Sequence, residues 1–396
     1  MTRPQELPPH SRRDRFDPDP ELVRMARETP LVKTDVAPGP SHRLLWLATG
    51  RPEVRAVLSD AERFSTMPPA DSAEDTRKLA LPGNLLQHDP PTHTRLRKLL
   101  TPEFTMQRIR RLEPRVEEVV ADCLDTMEST GPPVDLMRHF SWPIAGLISC
   151  ELLGVPRDDQ TELAHYLGIA QDEGRPADQQ LHAGKAYGDY MTKLAAQRRR
   201  RPGDDLLGVL VREHGTEVTD DELAGLGKSL AADGFGQGAS MLGLGVAALL
   251  DHPDQLALLR DRPELIERAV EELLRYVTVI QTASPRTALE EVTVGDQVIG
   301  AGETVVCSLL AANRVPGTGD EPDRLDITRE PGPHLAFGHG IHRCLGAQLI
   351  TLELSVAYPA LLRRFPALRP AVPPEEIRFR ASQSPQYGLV SLPVTW

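Results

Sequence analysis

Apolar residues recur at three- and four-residue spacing through much of the chain, most continuously over residues 109–211, and that period puts one water-avoiding stripe on each of a series of helices. The stretch breaks at Gly131-Pro132-Pro133, at Gly154-Val155-Pro156 and around residues 174–176, where glycine and proline stop one helix and let another start. Thr219-Asp220-Asp221-Glu222 is a capping box, so a long helix starts there and runs to about Leu250. Gly234, Gly236 and Gly238 alternate inside it, each costing about 1 kcal/mol relative to alanine, so the backbone must bend there or admit a close neighbour. Gly243-x-Gly245-x-x-Ala248 has the look of a dinucleotide fingerprint but follows no strand and is set aside. Residues 263–276 form a further amphipathic helix.

Alternating patterns are few. Residues 43–46 read as a short strand before a helix over 53–58, residues 292–294 and 297–299 as a hairpin around Gly295-Asp296, and residues 304–308 and 388–394 as strands. Residues 64–86, interrupted by Pro68, Pro69, Pro82 and Gly83, read as an irregular loop. The expected architecture is mainly α with a small β region: a flexible lead-in over residues 1–30, then one large domain over 31–396.

With 45 Lys and Arg against 57 Asp and Glu, the net charge of −12 argues against a nucleic-acid partner. The run Arg198 to Arg201 is explained by a helix C-terminus, where cations meet the negative end of the dipole. The longest apolar run, residues 241–250, is too short to span a bilayer, and the first residues show no signal sequence, so a cytoplasmic protein is expected, with no membrane partner. Four cysteines far apart, at 123, 150, 307 and 344, suit a reducing compartment.

The chemistry concentrates at Cys344, in the stretch FGHGIHRCLG over residues 337–346. This glycine-containing loop runs into an apolar helical segment, so the thiol is expected near a helix N-terminus, where the dipole and free N–H groups favour the thiolate. Three readings compete: a buried structural cysteine, a zinc site with His339 and His342, and a single proximal thiolate ligand to haem. No second zinc-like pair is present at a suitable spacing.

The same stretch resembles the haem-binding loop of the cytochrome P450 family, in particular its soluble bacterial branch, with Phe337, Cys344 and Gly346 at defining positions. The resemblance runs over roughly residues 40–396 and implies the α-rich P450 fold, with Cys344 as the axial ligand of a haem b. In HDPPTHTRLRKLL, Pro90-Pro91 pre-set a helix that puts His93 and Arg97 on one face; the family holds a haem propionate there, and Arg286 and His342 match further propionate ligands. Glu272 and Arg275 match the family's Glu-x-x-Arg pair, and a third member of that charge network is expected at Arg324. At the oxygen-activating position of the long helix the resemblance fails: the acid position falls on Gly236 and the threonine position on Gln237, which cannot relay a proton as an acid.

These features imply an O2-dependent haem-thiolate oxidase of secondary metabolism, fed electrons by a separate ferredoxin and its reductase, with Arg95, Lys98 and Arg343 as a local basic docking patch. The expected small-molecule pocket draws on residues 64–86, 160–195, 232–237, 280–284 and 383–384, a mostly apolar set suited to a medium-sized, partly polar substrate. The Gly236-Gln237 departure leaves open carbon–carbon or carbon–nitrogen coupling in place of hydroxylation. Peroxide-driven turnover and a non-catalytic haem sensor are the remaining alternatives.

Overall fold

The breaks and caps of the sequence become helix ends in the computed structural model, which describes residues 13–35, 44–67, 80–172, 174–315, 321–380 and 386–396. In chain order the helices are α1 (Pro20–Glu28), α2 (Arg51–Ser59), α3 (Thr92–Leu100), α4 (Met106–Ile109), α5 (Glu113–Thr130), α6 (Trp142–Leu153) and α7 (Arg157–Ala170). They continue with α8 (Ala177–Arg200), α9 (Leu206–His214), α10 (Asp220–Asp251), α11 (Pro253–Asp261), α12 (Ile266–Val277), α13 (Leu309–Ala312) and α14 (Ala347–Arg364).

The capping box opens α10 as its spacing requires: Glu222 N–H donates to Thr219 Oγ1 at 3.2 Å, and Thr219 N–H donates to Glu222 Oε2 at 2.9 Å. From Phe235 to Leu249 this helix is buried almost all round, which explains why its sequence lacks a polar stripe. It packs against α6, α8, α12 and α14 and forms the axis of the main apolar core. Gly243 and Gly245 are packing positions, since a Cβ on them would lie 2.2 Å from Met137 Sδ and 2.0 Å from the Tyr358 hydroxyl. No helix among the described residues is long and apolar enough to cross a membrane.

The largest sheet has five strands, ordered Leu31–Asp35, Leu44–Ala48, Thr304–Cys307, Arg286–Ala288, Phe64–Ser65. Its centre pairs Leu44–Ala48 in parallel with Thr304–Cys307, and the latter antiparallel with Arg286–Ala288. That pairing fixes Arg286 at a buried strand end. The Val292–Val294 and Gln297–Ile299 hairpin forms around Gly295 as read.

The expected lead-in is corrected over its described part. Arg13 donates to the carbonyl of Val277 at 2.5 Å, Phe16 is buried, and α1 seats Leu22 and Ala26 against the sheet, so the folded body includes residues 13–30. Their apolar positions were sparse and widely spaced among charges, which hid a short amphipathic helix. The basic run at the end of α8 is structural as expected: Arg198 pairs with Asp205 at 2.6 Å, and Arg199 with Asp220 at 2.8 Å.

Candidate active site

The loop before α14 is held by its own backbone. Cys344 N–H donates to Phe337 O at 2.8 Å and Gly338 N–H to Leu335 O at 2.9 Å, closing a tight turn around the sulfur. Gly340, at φ 72°, lies so close to α2 that a Cβ would sit 1.9 Å from the Leu58 carbonyl oxygen; only glycine fits. A Cβ on Gly338 or Gly346, by contrast, would meet nothing within 4 Å, and both residues line the same cavity as Cys344. A side chain at either would intrude on that space.

Cys344 lies three positions before the first residue of α14. Burial pushes its thiol up, against a hydrogen bond from Gly346 N–H that pulls it down, so the expected lowering at a helix N-terminus is overridden in the free thiol. A bound metal deprotonates a coordinating thiol regardless. The other cysteines are inert by comparison: Cys123, Cys150 and Cys307 are buried, with thiols pushed up to about 12, chiefly by burial. Among the described residues no three His, Cys, Asp or Glu side chains form a metal-ligand set, so the zinc reading gains no support.

The cavity measures about 720 Å³ and brings together, from distant parts of the chain, the α3 residue Arg97, the strand residue Arg286 and the loop residues Phe337, His342, Cys344 and Gly346. His93 stands behind them with its ring centroid 4.2 Å from that of His342. Its two ring nitrogens are buried without a partner, as is His342 Nδ1. Arg286 gives one nitrogen to the carbonyls of Ser284 and Pro285, and its Nε and Nη2 meet no acceptor among the described residues; the Arg97 guanidinium likewise has none. Burial, then repulsion by Arg97, pushes the His93 imidazole down, and burial, then repulsion by Arg286, pushes the His342 imidazole down to about 3. Unpaired donors and cations gathered at one wall of a cavity are a receptor for carboxylates, and a thiol on the adjoining loop is a ligand for iron. The residues present therefore fit a planar, carboxylate-bearing haem.

Helix α10 forms the opposite lining with Ser229, Leu230, Asp233, Gly234, Gln237 and Met241, one face at helical spacing. Gln237 faces the cavity as expected; Gly236 does not line it. A Cβ on Gly236 would lie 2.0 Å from Gln171 Oε1 and 2.7 Å from Gln386 Oε1, so two amide side chains fill the space that an acid at this position needs. The sequence reading put Asp233 in the pocket only as part of the 232–237 stretch and gave it no role. Its signal was the four-residue spacing to Gln237, which puts the two on one face. The expected contribution of residues 160–195 is also corrected: none of the described residues in that span lines the cavity, and Ser149 and Leu152 of α6 take that place. Residues 280–284 line it as read, whereas residues 68–79, 383 and 384 lie outside the described residues.

The charge network needs one correction. Glu272 and Arg275 pair at 2.7 Å, fully buried, and the third guanidinium is that of Arg329, whose Nε donates to Glu272 Oε1 at 3.1 Å. Arg324 is exposed and pairs with Glu321 at 3.2 Å; what it brings to the network is its backbone carbonyl, which accepts from Arg275 at 3.1 Å.

A helical body around a thiol-bearing loop, a carboxylate receptor and a roofing helix defines a haem-thiolate protein. The cytochrome P450 family model matches residues 41–167 and 255–390, and the chain belongs to that family. It is 40% identical to cytochrome P450 165B3 of Amycolatopsis orientalis, with 100% of each chain covered. Among solved structures it is similar to OxyE, a cytochrome P450 involved in teicoplanin biosynthesis, at a TM-score of 0.93 and 46% identity over 99% of this chain and 100% of that one. It is also similar to OxyB, solved in complex with the X-domain from teicoplanin biosynthesis, at a TM-score of 0.88 and 48% identity over 98% and 100% of the two chains. The chain is a bacterial-type P450 oxidoreductase, whose relatives act in secondary metabolism.

Proposed function

We propose that this enzyme binds haem b through Cys344 and oxidises a medium-sized organic substrate of a secondary-metabolite pathway, using O2 and electrons from a cytoplasmic ferredoxin and its reductase. The observation that carries the proposal is the convergence on one cavity of the Cys344 loop with Arg97, Arg286 and His342, and behind them His93 with both ring nitrogens unpartnered. In this reading Arg97 and Arg286 would hold the two propionates, with the two imidazoles completing the receptor. Phe337 would pack beside the ring, with Gly338 and Gly346 leaving room for it. Bound there, haem supplies reversible iron redox chemistry and O2 binding. The protein's share is to supply the sulfur, exclude bulk water and set the substrate beneath α10, where the Gln237 amide offers one donor and one acceptor without titrating.

A second reading has one observation in its favour. The family's usual proton-delivering position falls on Gly236, which carries no acid, and the amide ends of Gln171 and Gln386 lie in the space beside it. That favours oxidative coupling, in which hydrogens are removed from the substrate and no oxygen atom is kept. The relatives involved in teicoplanin biosynthesis lend it weight.

The carbon monoxide spectrum of the reduced protein tests the site. Wild-type protein is expected to show the red-shifted Soret band of a thiolate-ligated ferrous haem, and Cys344→Ala to lose it; an imidazole-type band in fresh wild-type protein overturns the assignment. Mass spectrometry of turnover products then separates the two reactions: one added oxygen means hydroxylation, two lost hydrogens mean coupling.

A further inference from the structure

Asp233 is a cavity-lining carboxyl whose charge no described residue answers. It projects from α10 into the cavity one turn before Gln237, and no hydrogen-bond or ion-pair partner for it exists among the described residues. The surrounding charges give no relief. The cationic wall belongs to Arg97 and Arg286, which the haem carboxylates occupy in the reading above. The remaining lining carboxyl, Glu353 of α14, is wholly buried and pushed far up by that burial, so it stays neutral. The titratable groups that feel Asp233 are Tyr187 of α8 and the Cys344 thiol, and neither is a cation.

Resting on that reading of the site, we infer that Asp233, with the Gln237 amide beside it, is an anionic anchor in the substrate pocket, and that the substrate carries a protonated amine or other cationic group in front of α10. Asp233 is exposed toward the cavity interior, and a carboxylate in an apolar-walled space without a counter-ion gains when a cation arrives. Burial alone shifts its carboxyl, up to about 6, so at neutral pH it is mostly ionised and receptive. An apolar-walled pocket amplifies such a pair, because the field is not screened as it is at a surface. The arrangement selects by charge: a cation gains the pair, a neutral isostere gains only apolar contact, and an anion is repelled.

Two probes of nearly equal shape and no lone pair for the iron make the test: benzyltrimethylammonium and its neutral isostere neopentylbenzene. Their affinities for the haem-loaded protein are measured at constant ionic strength by the shift of the Soret band and by calorimetry. Wild type is expected to bind the cation at least tenfold more tightly, Asp233→Glu to keep the preference, and Asp233→Asn to lose it while loading haem normally. A wild type without preference, or a preference that survives in Asp233→Asn, overturns the anchor. Should Asp233→Asn fail to load haem, the wild-type preference and its retention in Asp233→Glu decide alone. The thiolate carbon monoxide band is recorded on the same samples, so a failed anchor in a protein with that band leaves the haem-thiolate assignment standing.

Discussion

A carboxyl turned into an apolar-walled cavity works against the fold, and for Asp233 the direction of that effect is fixed by its protonation. Burial lifts the carboxyl from 3.8 to about 6, so between those values the folded chain keeps a proton that the unfolded chain has released. When the folded state binds more protons than the unfolded one, stability falls as pH rises. The penalty is absent below the lower value and complete above the upper one. Asp233→Asn removes it. Because the side chain is open to water in the cavity, the full linkage value is discounted to on the order of 1 kcal/mol. The variant is therefore expected to unfold at higher denaturant than wild type at about pH 8, with the gap closing toward about pH 4. A wild type more stable than the variant at the higher pH would mean that Asp233 already has a cationic partner. A destabilising acid at such a place is what a binding role produces. Comparison with the family pattern directs the eye to Gly236 and Gln237; a residue foreign to that pattern can be found only by its spacing on the helix.

At the scale of elements, the buried network shows how one carboxylate ties a helix to a loop. Glu272 on α12 receives Arg275 from the next turn and Arg329 from the loop, and accepts a further hydrogen bond from Asp326 N–H at 3.0 Å. Arg275 in turn donates to the carbonyls of Asn313 and Pro322 at 2.8 and 2.7 Å, so the segment on which the Cys344 loop depends is pinned to α12 from several directions. The helix pair was readable because its three-residue spacing is local. The third arginine was not, because glycine-rich residues around 316–320 leave register undetermined, and two arginines lie within reach of the same loop. The correction is testable. Arg329→Ala leaves part of a buried carboxylate unpaired and is expected to destabilise by about 3 kcal/mol or more. Arg324→Ala removes an exposed side chain and keeps the carbonyl that Arg275 uses, so its effect is expected within about 0.5 kcal/mol. Equal losses in thermal unfolding of the two variants would contradict the observed pairing.

For the molecule as a whole, the helical architecture and the Cys344 loop were readable because they rest on long periodic segments and one dense motif. The assembled pocket was not, because its walls come from α3, α6, α10, a strand end and a loop that no local signal connects. The same limit applies to the docking face. Arg95, Lys98 and Arg343 were read as one basic patch, but Arg95 is engaged: it bonds the Glu222 carboxylate and the Glu217 carbonyl, clamping the start of α10 to α3. Lys98 and Arg343 are exposed, and Arg343 is close enough to Arg97 to act on it electrostatically. The chain carries −12 overall, so in the proposed scheme an acidic ferredoxin would approach against the long-range field and would need a local cationic surface over the Cys344 loop. Reversing both exposed charges, Lys98→Glu with Arg343→Glu, is expected to slow the second-order rate of reduction by ferredoxin roughly tenfold at low salt, with the difference shrinking near 0.5 M salt as screening sets in. The carbon monoxide band and haem content are recorded on the same samples, because Arg343 acts on Arg97 and lies 5.9 Å from the Phe337 ring centroid, and rates are compared at equal haem content. Arg95→Glu is the wrong probe, because loss of the clamp on α10 would slow reduction for structural reasons. If stopped-flow reduction of the double variant matches wild type at every salt concentration, docking takes place elsewhere on the surface.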